Sequence, residues 1–225
     1  MATAPSLAGS PQHRNRHTAV LQDQFTLPHG LVGRFVGWLM ARSNAEMNHV
    51  AVDMLAVKPA DEVLEIGFGP GHAIDLLVTR TAARFIAGVD PSAEMVDQAR
   101  SRNQEAVDAG RVALVQAAAD QLPFDSGRFS CALAVSNFLI WDNPKRALHE
   151  IHRVLRHNGR LILCLRRAPR TPRWWKSPGA TANEINASLD LLATAGFRRV
   201  RMVERRLKRR LVCLVAENGP NDALA

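Results

Sequence analysis

The chain has 225 residues, 47% of them hydrophobic and 22% charged, and its 29 Lys and Arg against 21 Asp and Glu give a formal charge of +8. That composition excludes a largely disordered protein, which lacks the apolar surface needed to offset chain entropy, and no apolar run approaches the ~20 residues that span a bilayer. The charge is uneven: residues 1–160 hold 16 basic and 16 acidic side chains, whereas residues 161–225 hold 13 basic and 5 acidic, so the whole excess lies in the last part of the chain.

In chain order, residues 1–30 read as a mobile basic tail, with Arg14 and Arg16 and no acid before Asp23. Leu31, Phe35, Trp38 and Leu39, then Val50, Met54 and Leu55, recur at helical spacing on either side of a polar Ser43-Asn44 break and predict two short helices over 31–57. A sheet core is expected over 61–225. Strands are predicted at Val63 to Ile66, Phe85 to Val89, Val112 to Gln116, Phe129 to Val135, Arg160 to Leu165, Phe197 to Glu204 and Arg210 to Glu217. Between them, helices are predicted from His72 to Ala82, Ser92 to Ala109, Pro144 to Arg156 and Ala182 to Ala195. Asn143-Pro144 supplies an N-cap and first-turn pair, and Asn158-Gly159 is expected to end the helix it opens. Alternating strands and helices predict a parallel sheet, while the five residues between the last two strands permit an antiparallel hairpin alone. The expected fold class is α/β: one domain over residues 31–225, with a Rossmann-like, doubly wound, seven-stranded sheet, mostly parallel with the last strand antiparallel, and helices on both faces. Cys131, Cys164 and Cys213, widely spaced in apolar stretches, read as reduced core thiols of a cytoplasmic protein.

The most informative stretch is Val63-Leu64-Glu65-Ile66-Gly67-Phe68-Gly69-Pro70-Gly71, an apolar strand running into three alternating glycines and then a helix. Glycines there allow a sharp turn and close approach of a ligand to backbone N–H groups. A dinucleotide fingerprint needs a further glycine where this chain has His72, and Glu65 would repel a pyrophosphate. A ligand with a cationic head matches better. Asp90 follows Gly71 by 19 residues, at the end of the second predicted strand, where a carboxylate can accept both ribose hydroxyls. The pattern describes a pocket for a nucleoside bearing an amino-acid tail.

These residues resemble the class I S-adenosylmethionine-dependent methyltransferases, in particular the small-molecule branch that includes the quinone-biosynthesis enzymes. Glu65 to Gly71 is similar to the family's glycine motif, and Gly88-Val89-Asp90-Pro91-Ser92 to its ribose segment. Ala117 to Phe124 resembles its adenine segment, with Ala118 where an acid is common. Arg128 to Asn137 resembles the fourth strand and the loop beside the methyl donor, and Arg153 to Leu161 the turn into strand five. The resemblance implies that Glu65, Gly67, Phe68, Gly69, Gly71, Asp90, Pro91, Ala119, Asp120 and Ser136 hold S-adenosylmethionine as methyl donor, with no metal.

The donor's sulfonium is already a good leaving group, so the resemblance requires alignment of the acceptor and exclusion of water rather than a nucleophilic triad. A hydroxyl or carbon acid would also need a base, for which His72, Asp142 and His149 are candidates by loop position. Asn137, Phe138, Trp141, Arg166, Arg167 and Trp174 are the acceptor-side candidates. The sequence Ser136-Asn137-Phe138-Leu139-Ile140-Trp141 suits an apolar or aromatic acceptor. In the resembling family N-terminal helices cover the acceptor pocket; packing of Leu31 to Ala41 against the sheet is the alternative.

The basic excess falls in two clusters, Arg166, Arg167, Arg170, Arg173 and Lys176 after the fifth strand, and Arg205, Arg206, Lys208, Arg209 and Arg210 in the last hairpin. Both are expected to rim the ligand-binding end of the sheet and to suit a small anionic acceptor or an anionic membrane surface, with nucleic acid a weaker fit. An RNA methyltransferase using this rim and a non-catalytic binding module are the competing functional readings. Arg199 and Arg201, alternating along a predicted edge strand, would instead discourage edge-to-edge aggregation.

Overall fold

The computed structural model describes residues 44–168, 179–208 and 210–219. Residues 44–55 form helix α1. Then follow β1 (Glu62–Ile66), α2 (His72–Arg80), β2 (Phe85–Asp90), α3 (Ala93–Arg102), α4 (Gln104–Asp108), β3 (Val112–Gln116) and β4 (Phe129–Val135). After a 3₁₀ turn at Phe138–Ile140 come α5 (Pro144–Val154), β5 (Leu155–Arg166), α6 (Ala182–Thr194), β6 (Phe197–Arg206) and β7 (Arg210–Asn218). The tail, the Leu31 to Ala41 helix, Trp174 and the basic residues Arg170, Arg173, Lys176 and Arg209 lie outside the described residues.

The strand period of two divides the apolar residues between two layers. Val63, Ile86, Leu133, Cys164 and Cys213 pack with α1, α2 and α3 on one face. Leu64, Ala87, Ala134, Leu163 and Leu214 pack with α5 and α6 on the other. All seven residues of β4 are buried, as a central strand covered on both faces requires.

The seven strands are ordered β3-β2-β1-β4-β5-β7-β6. The first five pair in parallel, and β7 runs antiparallel to both β5 and β6. The reversed strand is therefore inserted beside β5, which leaves β6 at the edge. A bulge in β6 between Arg198 and Arg201 and the exposed Arg199 and Arg201 interrupt that edge. The strand order reverses between β1 and β4, and a crevice opens at their carboxyl ends, the usual ligand position in open α/β sheets.

Three boundaries differ from the sequence expectation. The predicted Ser92 to Ala109 helix breaks at Asn103, whose side-chain amide turns back to donate to Ala99 O at 2.8 Å and Gly71 O at 3.2 Å. Helix α5 ends at Val154, before Arg156, and β5 begins at Leu155. Asn158-Gly159 does not stop the helix. It forms an irregularity inside β5, with Asn158 at φ 59°, across which the register moves from Phe129↔Leu155 to Cys131↔Arg160.

The opposite end of the sheet is pinned by Asp61, which is 2% exposed. Its carboxylate accepts the Lys58 N–H at 2.8 Å and pairs with Arg160 at 3.1 Å and Arg156 at 3.3 Å. Burial would raise its pKa, but the Lys58 N–H, Ser130 and the two guanidinium groups together hold it below the ordinary value. Asp61→Ala is expected to lower unfolding stability by about 2 kcal/mol, since it strands two partly exposed cations and a backbone donor. Because the folded pKa is depressed, this contribution is present above the ordinary carboxylate range and lost as pH falls below it. Urea unfolding of both proteins across pH measures the difference.

Candidate active site

The glycine loop folds as it does because its residues meet neighbours at contact distance. The Gly67 N–H donates to Val89 O at 2.7 Å, and the Gly71 N–H to Phe68 O at 3.1 Å. Gly67 has φ 69°, and a Cβ there would lie 2.1 Å from the Asn137 amide nitrogen. At Gly71, φ 78°, a Cβ would lie 2.7 Å from that of Ala99. Nothing lies within 4 Å of a Cβ placed on Gly69, so the loop is open at its centre. Helix α3 fastens the loop from behind through Asn103 to Gly71 O and Arg102 Nε to Pro70 O at 2.8 Å.

Two carboxylates are buried beside this loop. Asp90 ends β2, accepts the Gly69 N–H at 2.8 Å on one oxygen and the Ser92 N–H at 3.0 Å on the other. The helix-capping role belongs to Ser92, whose hydroxyl accepts from the Met95 N–H. Burial raises the Asp90 pKa against the two N–H bonds that lower it. Glu65, 3% exposed, has its Oε2 without a hydrogen-bond partner among the described residues. Burial first, and then the neighbouring Asp90 charge, push its pKa well above the ordinary value. An unpaired buried carboxylate is costly, and a bound cation removes that cost. Asn137 spans the same place, donating to Ile66 O at 2.7 Å and Gly67 O at 2.8 Å, with its Oδ1 buried and unpartnered.

These groups line one cavity of about 320 Å³. Of the expected cofactor residues, Glu65, Gly67, Phe68, Gly69, Asp90, Pro91, Ala119, Asp120 and Ser136 lie on its wall, together with Asn137, Trp141, His72 and Asp142. Gln116 Nε2 donates to Pro91 O at 3.0 Å and joins the segments expected to meet ribose and adenine. Ala118 also lines the cavity, so the departure from an acid leaves an open wall there.

Several of the expected residues lie away from the wall. Gly71 is not on the wall: it packs against α3 and acts through the loop turn. Phe138 is buried in the core, edge-on to Trp141 with ring centroids 5.0 Å apart, because the 3₁₀ turn points it inward. His149 is exposed on α5, away from the cavity, since the apolar stripe Ala147, Leu148, Ile151 and Val154 takes the inner face of that helix. Arg166 and Arg167 do not line the cavity either. Arg166 donates to Asn44 Oδ1 at 3.1 Å, and Arg167 pairs with Glu204.

Sequence reasoning missed Asn44 and Asn48, which line the cavity from α1. Asn48 is 7% exposed. Their i, i+4 spacing beside the buried Met47, Ala51 and Leu55 was the available signal: two amides on an otherwise apolar helix.

A family model described as a methyltransferase domain matches residues 64–163, which include the glycine loop, Asp90 and the 3₁₀ turn. Over those residues the chain is similar to methyltransferases, and curated relatives are named as methyltransferases. It is 28% identical over 145 residues to the uncharacterized methyltransferase YdaC of Bacillus subtilis, covering 64% of this chain and 78% of the relative. It is 27% identical over 123 residues to the ubiquinone/menaquinone biosynthesis C-methyltransferase UbiE of Citrifermentans bemidjiense, covering 54% of this chain and 52% of UbiE. The match thus spans about half the length of that relative. The fold is similar to that of geranyl diphosphate C-methyltransferase from Streptomyces coelicolor, with TM-score 0.63 and 17% identity over 94% of this chain and 88% of the other.

In the free protein, Glu65 favours the fold when protonated. A raised folded pKa gives stability that is full below the ordinary value of 4.5 and is lost as pH rises through the folded pKa. Glu65→Gln is therefore expected to raise the unfolding temperature of the free protein at neutral and alkaline pH. The two proteins should converge in acid, and calorimetric unfolding across pH checks both parts.

Proposed function

We propose that this protein transfers the methyl group of S-adenosylmethionine to a small, anionic or lipid-like acceptor at the mouth of its cavity. The observation that carries the reading is the buried Glu65, with its Oε2 unpartnered among the described residues, beside an open glycine loop and Asp90. A nucleoside with a cationic amino-acid tail meets a complementary group at each of these points. Glu65 is the group that would answer the cationic tail, Asp90 the ribose hydroxyls, and the segment Ala117 to Asp120 the adenine.

When bound, the donor supplies a methyl already activated on a positively charged sulfur. The chain's residues then position and shield. Ser136 and Asn137 hold the wall beside β1, and Ile140 and Trp141 give an apolar side against which a flat or chain-like acceptor can lie. Excluding water there keeps the acceptor aligned and strengthens the fixed charges. His72, half-buried on the wall, has its pKa lowered by burial and by Arg102, so at neutral pH it is an uncharged imidazole able to accept a proton. Asp142, exposed at the mouth, is the other candidate base.

The lipid-like part of the reading draws on the apolar wall. It is consistent with the fold relative solved with geranyl diphosphate and S-adenosyl-L-homocysteine. The anionic part draws on the hairpin basic residues at the same end of the sheet.

Calorimetric titration with S-adenosylmethionine tests the donor site. The wild type should show saturable binding, weakened at least tenfold in Asp90→Ala and in Glu65→Gln, a loss of about 1.4 kcal/mol or more. Binding should release protons, because a cation favours ionised Glu65, so affinity rises with pH until Glu65 is ionised in the free protein. Absence of saturable binding by the wild type would remove the proposal.

A further inference from the structure

The large apolar side chains exposed among the described residues are Leu139 at 43%, Ile140 at 50% and Met202 at 45%. Two of the three are adjacent and sit in the 3₁₀ turn, where Ile140 forms part of the cavity wall. An isolated exposed leucine needs no explanation, but an apolar pair on the lip of a ligand cavity does.

The basic hairpin lies at the same end of the sheet as this lip. The Ser136 N–H donates to Cys164 O at 2.8 Å, which sets the start of the lip against the end of β5. Two positions further along β5, Arg166 pairs with Leu211, and the Arg167 N–H donates to Arg210 O at 2.9 Å. The β6–β7 turn therefore emerges at the same end of the sheet, with β5 between β7 and the strand that leads into the lip, and β6 one strand further out. Leu207 packs into the core beneath it, and Lys208 pairs with Glu46 on α1 at 3.6 Å.

The charges there are not internally balanced. Glu204 is shared by Arg167 and Arg210, and Glu46 is answered by Lys208. Arg205 and Arg206 are exposed and make no ion pair among the described residues. Asp142 is the acid on the cavity mouth nearest to the lip in sequence. Protection of an edge strand accounts for Arg199 and Arg201 beside the β6 bulge, whereas Arg205 and Arg206 are the last two residues of that strand, at the cavity end of the sheet where the chain turns.

We propose that the cavity mouth docks onto an anionic lipid surface, with Leu139 and Ile140 entering the headgroup boundary and Arg205 and Arg206 meeting lipid phosphates. This rests on the methyltransferase reading for its purpose: the mouth would open directly onto the phase that holds a lipid-like acceptor. Shallow apolar insertion and basic attraction act together in such surfaces, and each cation near an anionic leaflet adds to the attraction. RNA would use the cations but leaves the apolar pair unexplained, so a bilayer surface accounts for both features.

Vesicle co-sedimentation of the full chain tests this without any donor or acceptor. The protein should bind phosphatidylcholine vesicles containing about one third phosphatidylglycerol, should not bind pure phosphatidylcholine, and should be released by salt. The double variant Arg205→Glu/Arg206→Glu should lose at least tenfold in partitioning, and Leu139→Ser severalfold. S-adenosylmethionine affinity measured separately should stay unchanged in both variants, showing intact folds and separating failure of docking from failure of the donor site. Equal binding to both vesicle types, or full vesicle binding by the charge-reversed variant, would overturn the proposal. So would RNA binding with no vesicle binding, or loss of self-association in Leu139→Ser with vesicle binding unchanged.

Discussion

Two carboxylates lie buried at the carboxyl ends of adjacent strands, and the cost of keeping them there organises the surrounding structure. Asp90 is compensated from within, by the Gly69 and Ser92 N–H groups. Glu65 is compensated only in part, by the Ile74 N–H, and its Oε2 has no partner among the described residues. A fold tolerates such a group where a ligand completes it. The glycine loop, its fastening by Asn103 and Arg102, and the amide of Asn137 laid across Gly67 all keep that group facing one cavity.

The same short segment shows the opposite solution at its other end. Asp61, immediately before β1, is as buried as Glu65 but carries two guanidinium partners and a backbone donor, and its pKa moves down where that of Glu65 moves up. Three residues therefore separate a carboxylate that stabilises the free fold from one that strains it. Strand direction explains the division. The amino end of the sheet is closed by Arg156 and Arg160 from the start of β5, while the carboxyl end at the β1–β4 reversal is where chain connections part and leave room for a ligand.

The strand insertion at the other side of the sheet has a similar consequence for charge. Because β7 enters antiparallel between β5 and β6, the turn joining it to β6 must lie at the cavity end. Arg205, Arg206, Lys208 and Arg210 thus reach the cavity end of the sheet by topology, while Arg166 and Arg167, which precede them in sequence, are absorbed by Asn44 and Glu204. Cations that look equivalent in a charge count divide into structural pairs and exposed groups once the partners are known.

Much of this was legible in the sequence. The strand period, the alternation of elements, the three glycines and the two acids report local constraints: which faces are apolar, where the chain must turn, where a carboxylate follows a strand. They sufficed for the sheet and the hairpin, and nine of the ten residues expected at the cofactor lie on the wall of one cavity. What they could not decide depends on neighbours distant in the chain. Phe138 and His149 were candidates by loop position, yet the 3₁₀ turn buries one and the apolar stripe of α5 turns the other outward. Asn158-Gly159 reads as a helix stop, but pairing of Leu155 with Phe129 takes the chain into β5 earlier and leaves that dipeptide as a bulge. Asn44 and Asn48 carry no motif and reach the cavity because α1 packs over β1. Local sequence sets what each residue can do, and contacts formed across the chain decide which of them meet, because packing selects one face of every helix and one end of every strand.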